Sequence, residues 1–344
     1  MLESTFSDRL IAWQKSHGRH DLPWQVSDPY RVWLSEVMLQ QTQVSAVLGY
    51  YARFLERFPT LASLAEAPLE DVLAVWSGLG YYSRARNLHK AAQKVMTEYG
   101  GAFPDTRAGI ETLPGVGRST AAAISAFAFG RREAILDGNV KRVLARAFGI
   151  AGFPGDKKVE NRMWELAERL LPQSDIAAYT QGLMDLGATV CSRGKPACTV
   201  CPMVDACVAA SEGRTAELPT PRPKKTQPVR DTLMLLLQRP GEVWLEQRPP
   251  TGIWGGLWSL PEFADSAAAE RWLAGIGEVD WQAAWPEFEH VFTHYRLIIT
   301  PQPAYLIAPA AAQVREAAGG RWWPLADALE AGLPAPVKRL LQRL

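Results

Sequence analysis

Leu113-Pro114-Gly115-Val116-Gly117 and, twenty residues past Gly117, Asp137 within Leu136-Asp137-Gly138-Asn139-Val140 are the stretches on which the fold turns. Two glycines around one apolar residue permit a tight turn that exposes successive backbone N–H groups. With the N-terminus of the helix that follows, Gly115, Val116 and Gly117 form a candidate nest for a phosphate. A plain interhelical turn shares this pattern. Asp137-Gly138-Asn139 taken by itself reads as a turn with a helix N-cap.

Outward from these stretches the chain reads as helix after helix. Asp28-Pro29 supplies an N-cap followed by proline at the first helical position, and Tyr30, Trp33, Leu34, Val37 and Met38 then keep helical spacing. The same period runs through 69–76, 84–99, 119–129, 140–148, 159–171 and 176–186, and no alternating run competes. Residues 1–213 are therefore expected to be an all-α domain. Residues 214–230 are expected to be a linker: 218–230 holds four prolines and four basic residues with no acid. Past it the period changes. Residues 232–238, 243–247 and 289–300 read as strands, and 266–274 and 336–344 as helices, so 231–344 is expected to be an α+β domain. The fold class expected is thus multidomain, a helical domain followed by an α+β domain.

Composition sets bounds without naming a partner. Apolar residues make up 47% and charged ones 21%, enough to bury full cores. The formal net charge is +1, and residues 1–213 carry 23 basic against 22 acidic side chains. Any field for nucleic acid must come from local arrangement and backbone N–H groups. The opening MLESTFSDRL is polar and mixed in charge, unlike a signal peptide. The run Ala121 to Phe129 is too short to span a bilayer. A cytoplasmic location without membrane contact is expected.

All four cysteines, Cys191, Cys198, Cys201 and Cys207, fall within seventeen residues. Four thiols so close, with none elsewhere, point to a metal or cluster site within 191–207 in preference to disulfides. Spacing alone leaves zinc and iron–sulfur both open.

The Gly hairpin, the aspartate and the four-cysteine loop together resemble the helix-hairpin-helix DNA glycosylase superfamily, in its branch with an iron–sulfur cluster. The resemblance implies two helical subdomains flanking a DNA cleft and a [4Fe–4S] cluster on the four cysteines. Endonuclease III-like members, which excise pyrimidine lesions and cut the strand, place an amine nucleophile after Pro-Gly-Val-Gly-Arg. Here that residue is Ser119, which cannot form a Schiff base. The segment from Asp28 to Val44 and the stretch Gly78-Leu79-Gly80-Tyr81-Tyr82-Ser83-Arg84-Ala85-Arg86-Asn87-Leu88 resemble the MutY-type adenine DNA glycosylases. Activity on adenine mispaired with 8-oxoguanine or guanine in double-stranded DNA is then expected, leaving an abasic site, with no second copy of the chain required. The pyrimidine-lesion glycosylase/lyase remains the alternative.

Glu36 has Val32, Trp33, Leu39 and Gln40 as helical neighbours, three of them apolar, so its carboxyl should hold a proton more tightly than usual. By resemblance, Glu36 protonates adenine, Asp137 stabilises the sugar cation and Asn139 supports the site. The resemblance further places Trp24 and Gln181 at the adenine pocket and Gln41, Leu79 and Tyr81 as wedges into the duplex. Ser119 aligns with a position that many relatives fill with Tyr. In the second domain, 247–261 resembles the Nudix-like domain of the same family but lacks the metal-binding glutamate run, since 266–277 holds only Glu270. Recognition is expected there, with Phe292, Thr293 and His294 matching the loop that reads 8-oxoguanine. A strand end whose His294 packs on Tyr295 is the plainer reading of those residues.

Overall fold

The computed structural model describes residues 2–223, 226–292, 294–309 and 320–344. The N-terminal part is helical throughout: α1 (Leu2–His17), α2 (Pro29–Leu39), α3 (Val44–Arg57), α4 (Leu61–Glu66), α5 (Leu69–Trp76), α6 (Ser83–Glu98), α7 (Arg107–Glu111), α8 (Arg118–Phe129), α9 (Gly138–Ala147), α10 (Lys157–Arg169), α11 (Ile176–Asp185) and α12 (Val208–Ser211). Asp28, Asp137 and Asp156 each cap the helix they precede, their side chains accepting from Arg31, Val140 and Lys158 backbone N–H groups.

The chain divides into two compact units. The first comprises the described residues of Met1–Ala52, Phe58–Ala65 and Lys90–Lys224; the second comprises those of Arg53–Arg57, Glu66–His89 and Lys225–Leu344. In the first unit a core gathers Phe6 and Leu10 of α1, Val140, Val143 and Leu144 of α9, Met163 and Leu166 of α10, and Tyr179 and Leu183 of α11. The i, i+3, i+4 spacing on α9 turns one stripe of that helix inward. A π turn, Leu186–Val190, prolongs α11 as far as Cys191. It lies so close to the start of α9 that a Cβ on Gly187 would stand 2.6 Å from Asn139 Cβ, so only glycine fits there.

The second unit is built on a mixed sheet of β1 (Val229–Arg239), β2 (Glu242–Gln247), β3 (Trp258–Ser259), β4 (Glu262–Phe263), β5 (Gly277–Trp281), β6 (Phe288–Val291), β7 (Arg296–Pro309) and β8 (Gly320–Pro324). β1 runs parallel to β7, from Val229 opposite Arg296 to Gln238 opposite Tyr305. It is buried on both faces from Thr232 to Leu237, which accounts for the unbroken Leu233-Met234-Leu235-Leu236-Leu237 run. The unit also holds α5, and after the linker come α13 (Ser266–Leu273), α14 (Leu325–Glu330) and α15 (Ala335–Leu341).

One expected strand is two. Residues 289–300 were expected to be continuous, but β6 and β7 fold back antiparallel, Phe288 opposite Ile299. Between them Phe292 N–H donates to the Tyr295 carbonyl at 2.9 Å. Apolar residues continue on both sides of this reversal, so their pattern alone does not mark it.

Residues 66–89 belong to the second unit through contacts remote in sequence. Tyr82 Oη and Ser77 Oγ both donate to the Leu333 carbonyl, at 3.0 and 3.2 Å. Trp258 Nε1 donates to Glu70 at 2.6 Å, and Arg86 donates to the Gly255 carbonyl at 2.6 Å.

Candidate active site

α2 is almost wholly buried: Tyr30, Val32, Trp33, Leu34, Ser35, Val37 and Met38 all face protein. Glu36 is its only carboxylate. The side chain opens into a cavity of about 450 Å³ in the helical unit, lined also by Arg19, Trp24, Phe127, Gln181 and Met184. Burial among these walls, with the charge of Asp137 added, pushes the Glu36 carboxyl from 4.5 up to about 8. Glu36 therefore carries its proton at neutral pH.

Asp137 occupies a different electrostatic setting. Its carboxylate caps α9, with Oδ1 accepting the Val140 N–H at 2.8 Å. Burial raises its pKa, while the N–H groups of Val140 and Asn139 and the cations Arg142 and Lys141 oppose that rise. Those donors and cations favour the charged form of Asp137, whereas no such groups offset the burial of Glu36. The two residues that sequence reasoning assigned to the chemistry are thus close enough for one to shift the other.

Asn139 serves this arrangement through Arg142. The Arg142 guanidinium donates to Asn139 Oδ1 at 2.8 Å, to the Gly187 carbonyl at 2.7 Å and to the Cys191 carbonyl at 2.8 Å. It ties the first turn of α9 to the π turn and the cysteine loop. Ser119 acquires a definite contact: its Oγ accepts the Leu136 N–H at 2.9 Å, holding the segment that leads into Asp137.

Trp24 is buried against Tyr51, with ring centroids 5.4 Å apart and edge-on, and still lines the cavity. Gln181 Nε2 donates to Asp185 Oδ1 at 2.9 Å. Sequence reasoning missed Arg19 and Asp185. Asp185 lies four residues past Gln181 on one helix face, a spacing that would have flagged it; Arg19, between helices, has no local signal.

In the hairpin, Gly115 sits at φ +79°, the left-handed region that favours glycine. Val116 differs from expectation. Its side chain is buried and its N–H closes the turn on the Leu113 carbonyl at 3.1 Å, so that donor is spent. Gly117 and the first turn of α8 remain as the anion-facing N–H groups.

Gln41 and Tyr81 both hold positive φ, +60° and +49°, a strained conformation for residues with a Cβ that concentrates at functional sites. Tyr81 is 46% exposed, as a wedge requires, whereas Leu79 is buried at 8%. The Arg84 guanidinium lies 5.4 Å from the Tyr81 ring centroid and donates to the Gly80 carbonyl at 3.1 Å.

In the second unit, Phe292 packs against Trp254, His290 and Tyr295, with centroids 5.2, 4.6 and 4.7 Å away. His294 is exposed and stands 5.1 Å from the Tyr295 ring. Thr293 lies outside the described residues.

Cys191, Cys198, Cys201 and Cys207 are unpaired by disulfides and line one cavity with Arg146 and Val190. Arg146 donates to Cys191 Sγ at 3.4 Å and to the Ser192 carbonyl at 2.7 Å. Burial, with the neighbouring cysteines adding to it, pushes the Cys201 thiol up to about 11; four thiolates here need a cationic centre. Among the described residues no three Cys, His, Asp or Glu side chains converge closely enough to hold one metal ion, and no helix is long and apolar enough to cross a membrane.

A buried glutamate that opens into a cavity and holds its proton, with an aspartate near enough to shift it and a Gly hairpin in the same helical domain, fits the class of base-excision DNA glycosylases. Residues 34–169 match the HhH-GPD superfamily of base excision DNA repair proteins, and residues 232–343 match the NUDIX domain. The adenine DNA glycosylase of Buchnera aphidicola subsp. Acyrthosiphon pisum is 37% identical over 99% of this chain and 98% of its own length. That of Rattus norvegicus is 35% identical over 86% of this chain and 69% of its own. A solved thermostable thymine-DNA glycosylase is 31% identical with TM-score 0.55, covering 61% of this chain and 97% of that one. An endonuclease III–DNA complex, 23% identical with TM-score 0.53 over 62% of this chain and 98% of that one, shares the helical fold. The chain belongs to the adenine DNA glycosylase family, its helical domain followed by a sheet-containing Nudix-like domain.

Proposed function

We propose that the chain excises adenine opposite 8-oxoguanine or guanine in double-stranded DNA, acting as a monomer in the cytoplasm and leaving an abasic site. The observation that carries this reading is the Glu36 carboxyl, raised to about 8 at an apolar cavity beside the capped Asp137. The base enters the cavity by turning out of the duplex, and the exposed Tyr81 is suited to wedging between bases. Trp24 offers a stacking face and Gln181 an amide.

Glu36 gives its proton to adenine N7. The bond from C1′ to N9 then breaks with its electron pair leaving on the base, which departs neutral. The Asp137 carboxylate stabilises the oxocarbenium-like sugar, with transient covalent capture at C1′, as in the two-carboxylate logic of retaining glycosidases. Water then attacks C1′, the bond from C1′ to Asp137 breaks with its electron pair returning to the carboxylate, and the proton of the water passes to the Glu36 carboxylate. Ser119 brings no amine, and its Oγ already accepts the Leu136 N–H, which disfavours the strand-cleaving pyrimidine alternative. Gly117 and the first turn of α8 hold backbone phosphate, and the second unit recognises the opposing base through the stretch that contains Phe292 and His294.

Cys191, Cys198, Cys201 and Cys207, which line one cavity with Arg146, would hold a [4Fe–4S] cluster, and such a cluster would supply the cationic centre that four thiolates need.

The test is single-turnover release of free adenine from duplexes with each of the four bases, or 8-oxoguanine, opposite. Release opposite 8-oxoguanine and guanine with no strand cleavage is expected. A borohydride-trapped covalent adduct would favour the lyase.

A further inference from the structure

At the cavity wall, α11 carries Gln181 and, one turn on, Asp185. Asp185 is 1% exposed, and its carboxylate accepts three hydrogen bonds. Oδ2 accepts the Arg19 backbone N–H at 2.9 Å. Oδ1 accepts Arg19 Nε at 2.7 Å and Gln181 Nε2 at 2.9 Å, and Arg19 Nη2 completes an ion pair 2.6 Å from it. Gln181 and Arg19 line the cavity; Asp185 sits behind them.

A carboxylate paired with a guanidinium can only accept hydrogen bonds. The Gln181 side chain must therefore turn its NH₂ toward Asp185, and its carbonyl Oε1 is left for the cavity. Without that partner the amide could present either end, since its two faces are nearly isosteric.

We propose that Asp185 is a positioning residue that sets the base specificity of the cavity: it locks the Gln181 amide with Oε1 toward the bound base, so the site accepts from an amino group at purine C6 and rejects a 6-oxo group. This rests on the adenine-excision reading and refines it. Adenine offers N6–H to Oε1. Hypoxanthine and guanine set an oxygen against an oxygen, leaving two buried acceptors unpaired. The opposing strand carries a 6-oxopurine, so the same lock guards that base from excision.

The experiment compares single-turnover excision of adenine and hypoxanthine opposite the same base, using the full chain. Asp185→Asn, whose amide can donate as well as accept, frees Gln181 to turn over. The adenine-to-hypoxanthine rate ratio is expected to fall at least about tenfold, the size of one unpaired buried hydrogen bond. Asp185→Glu keeps the ratio within a fewfold of wild type, and in a Gln181→Ala background Asp185→Asn leaves it unchanged. An unaltered ratio in Asp185→Asn, or an equal fall without Gln181, overturns the proposal.

A second measurement needs no variant. Wild-type binding to duplexes carrying uncleavable 2′-fluoro nucleosides should rank adenine, then unsubstituted purine, then hypoxanthine. Hypoxanthine bound as tightly as purine overturns the proposal. A wild type that releases no adenine removes the functional reading and this refinement together; adenine release with hypoxanthine excised equally well removes the refinement alone.

Discussion

Replacing Glu36 by Gln should make the protein more stable while it stops working. The Glu36 carboxyl is raised from 4.5 to about 8 by burial and by Asp137. A group whose folded value lies above its unfolded value leaves the folded state holding a proton that the unfolded chain has released. Stability is then lost as pH climbs from 4.5 to about 8. At about 1.4 kcal/mol per pH unit, the cost is on the order of 3 kcal/mol at pH 7 and up to about 5 kcal/mol above pH 8. Glutamine is neutral at every pH and nearly the same shape, so it escapes this cost. Urea unfolding followed by far-UV circular dichroism at pH 5, 7 and 9 measures it. The advantage of Glu36→Gln over wild type should be under about 1 kcal/mol at pH 5, about 3 kcal/mol at pH 7 and level off near about 5 kcal/mol by pH 9. An advantage that does not change with pH, or a variant less stable than wild type at pH 9, would refute the reasoning.

Further outcomes follow from the same geometry. Asp137→Asn keeps an oxygen to cap α9 and should fold normally, whereas Asp137→Ala should lose about 1 kcal/mol of stability; both should lose adenine release. Removing the Asp137 charge also lowers the Glu36 value, so the alkaline arm of any residual Asp137→Asn activity should move to lower pH. Ser119→Ala strands the Leu136 N–H and lets Asp137 drift, so single-turnover excision should slow about tenfold with substrate affinity little changed. The purified chain should show broad visible absorbance with about four iron and about four sulfide per chain; stoichiometric zinc would overturn the cluster assignment.

Much of the helical domain was legible because its signals are local. Asp28-Pro29 marks the start of α2, Asp137 marks the start of α9, and the stripe on α9 shows in the spacing of Val140, Val143 and Leu144. Glu36 was legible through the family resemblance; its helical neighbours taken alone fit a helix-surface glutamate better. What stayed hidden depends on contacts remote in sequence. Nothing near Tyr82 announces its bond to the Leu333 carbonyl, and nothing near Ser119 announces the Leu136 N–H. The left-handed backbone at Gln41 and Tyr81 has no glycine to betray it. Val116 was read as a phosphate donor because the turn that uses its N–H closes only in three dimensions.

The most direct measurement is the pH profile of single-turnover adenine release from a duplex with adenine opposite 8-oxoguanine. The rate should hold through neutral pH and fall tenfold per pH unit above about 8 as Glu36 loses its proton; Glu36→Gln should be slower by roughly a hundredfold or more. A rate that keeps rising past pH 9, or a Glu36→Gln variant close to wild type, would contradict the assignment of Glu36 as the acid.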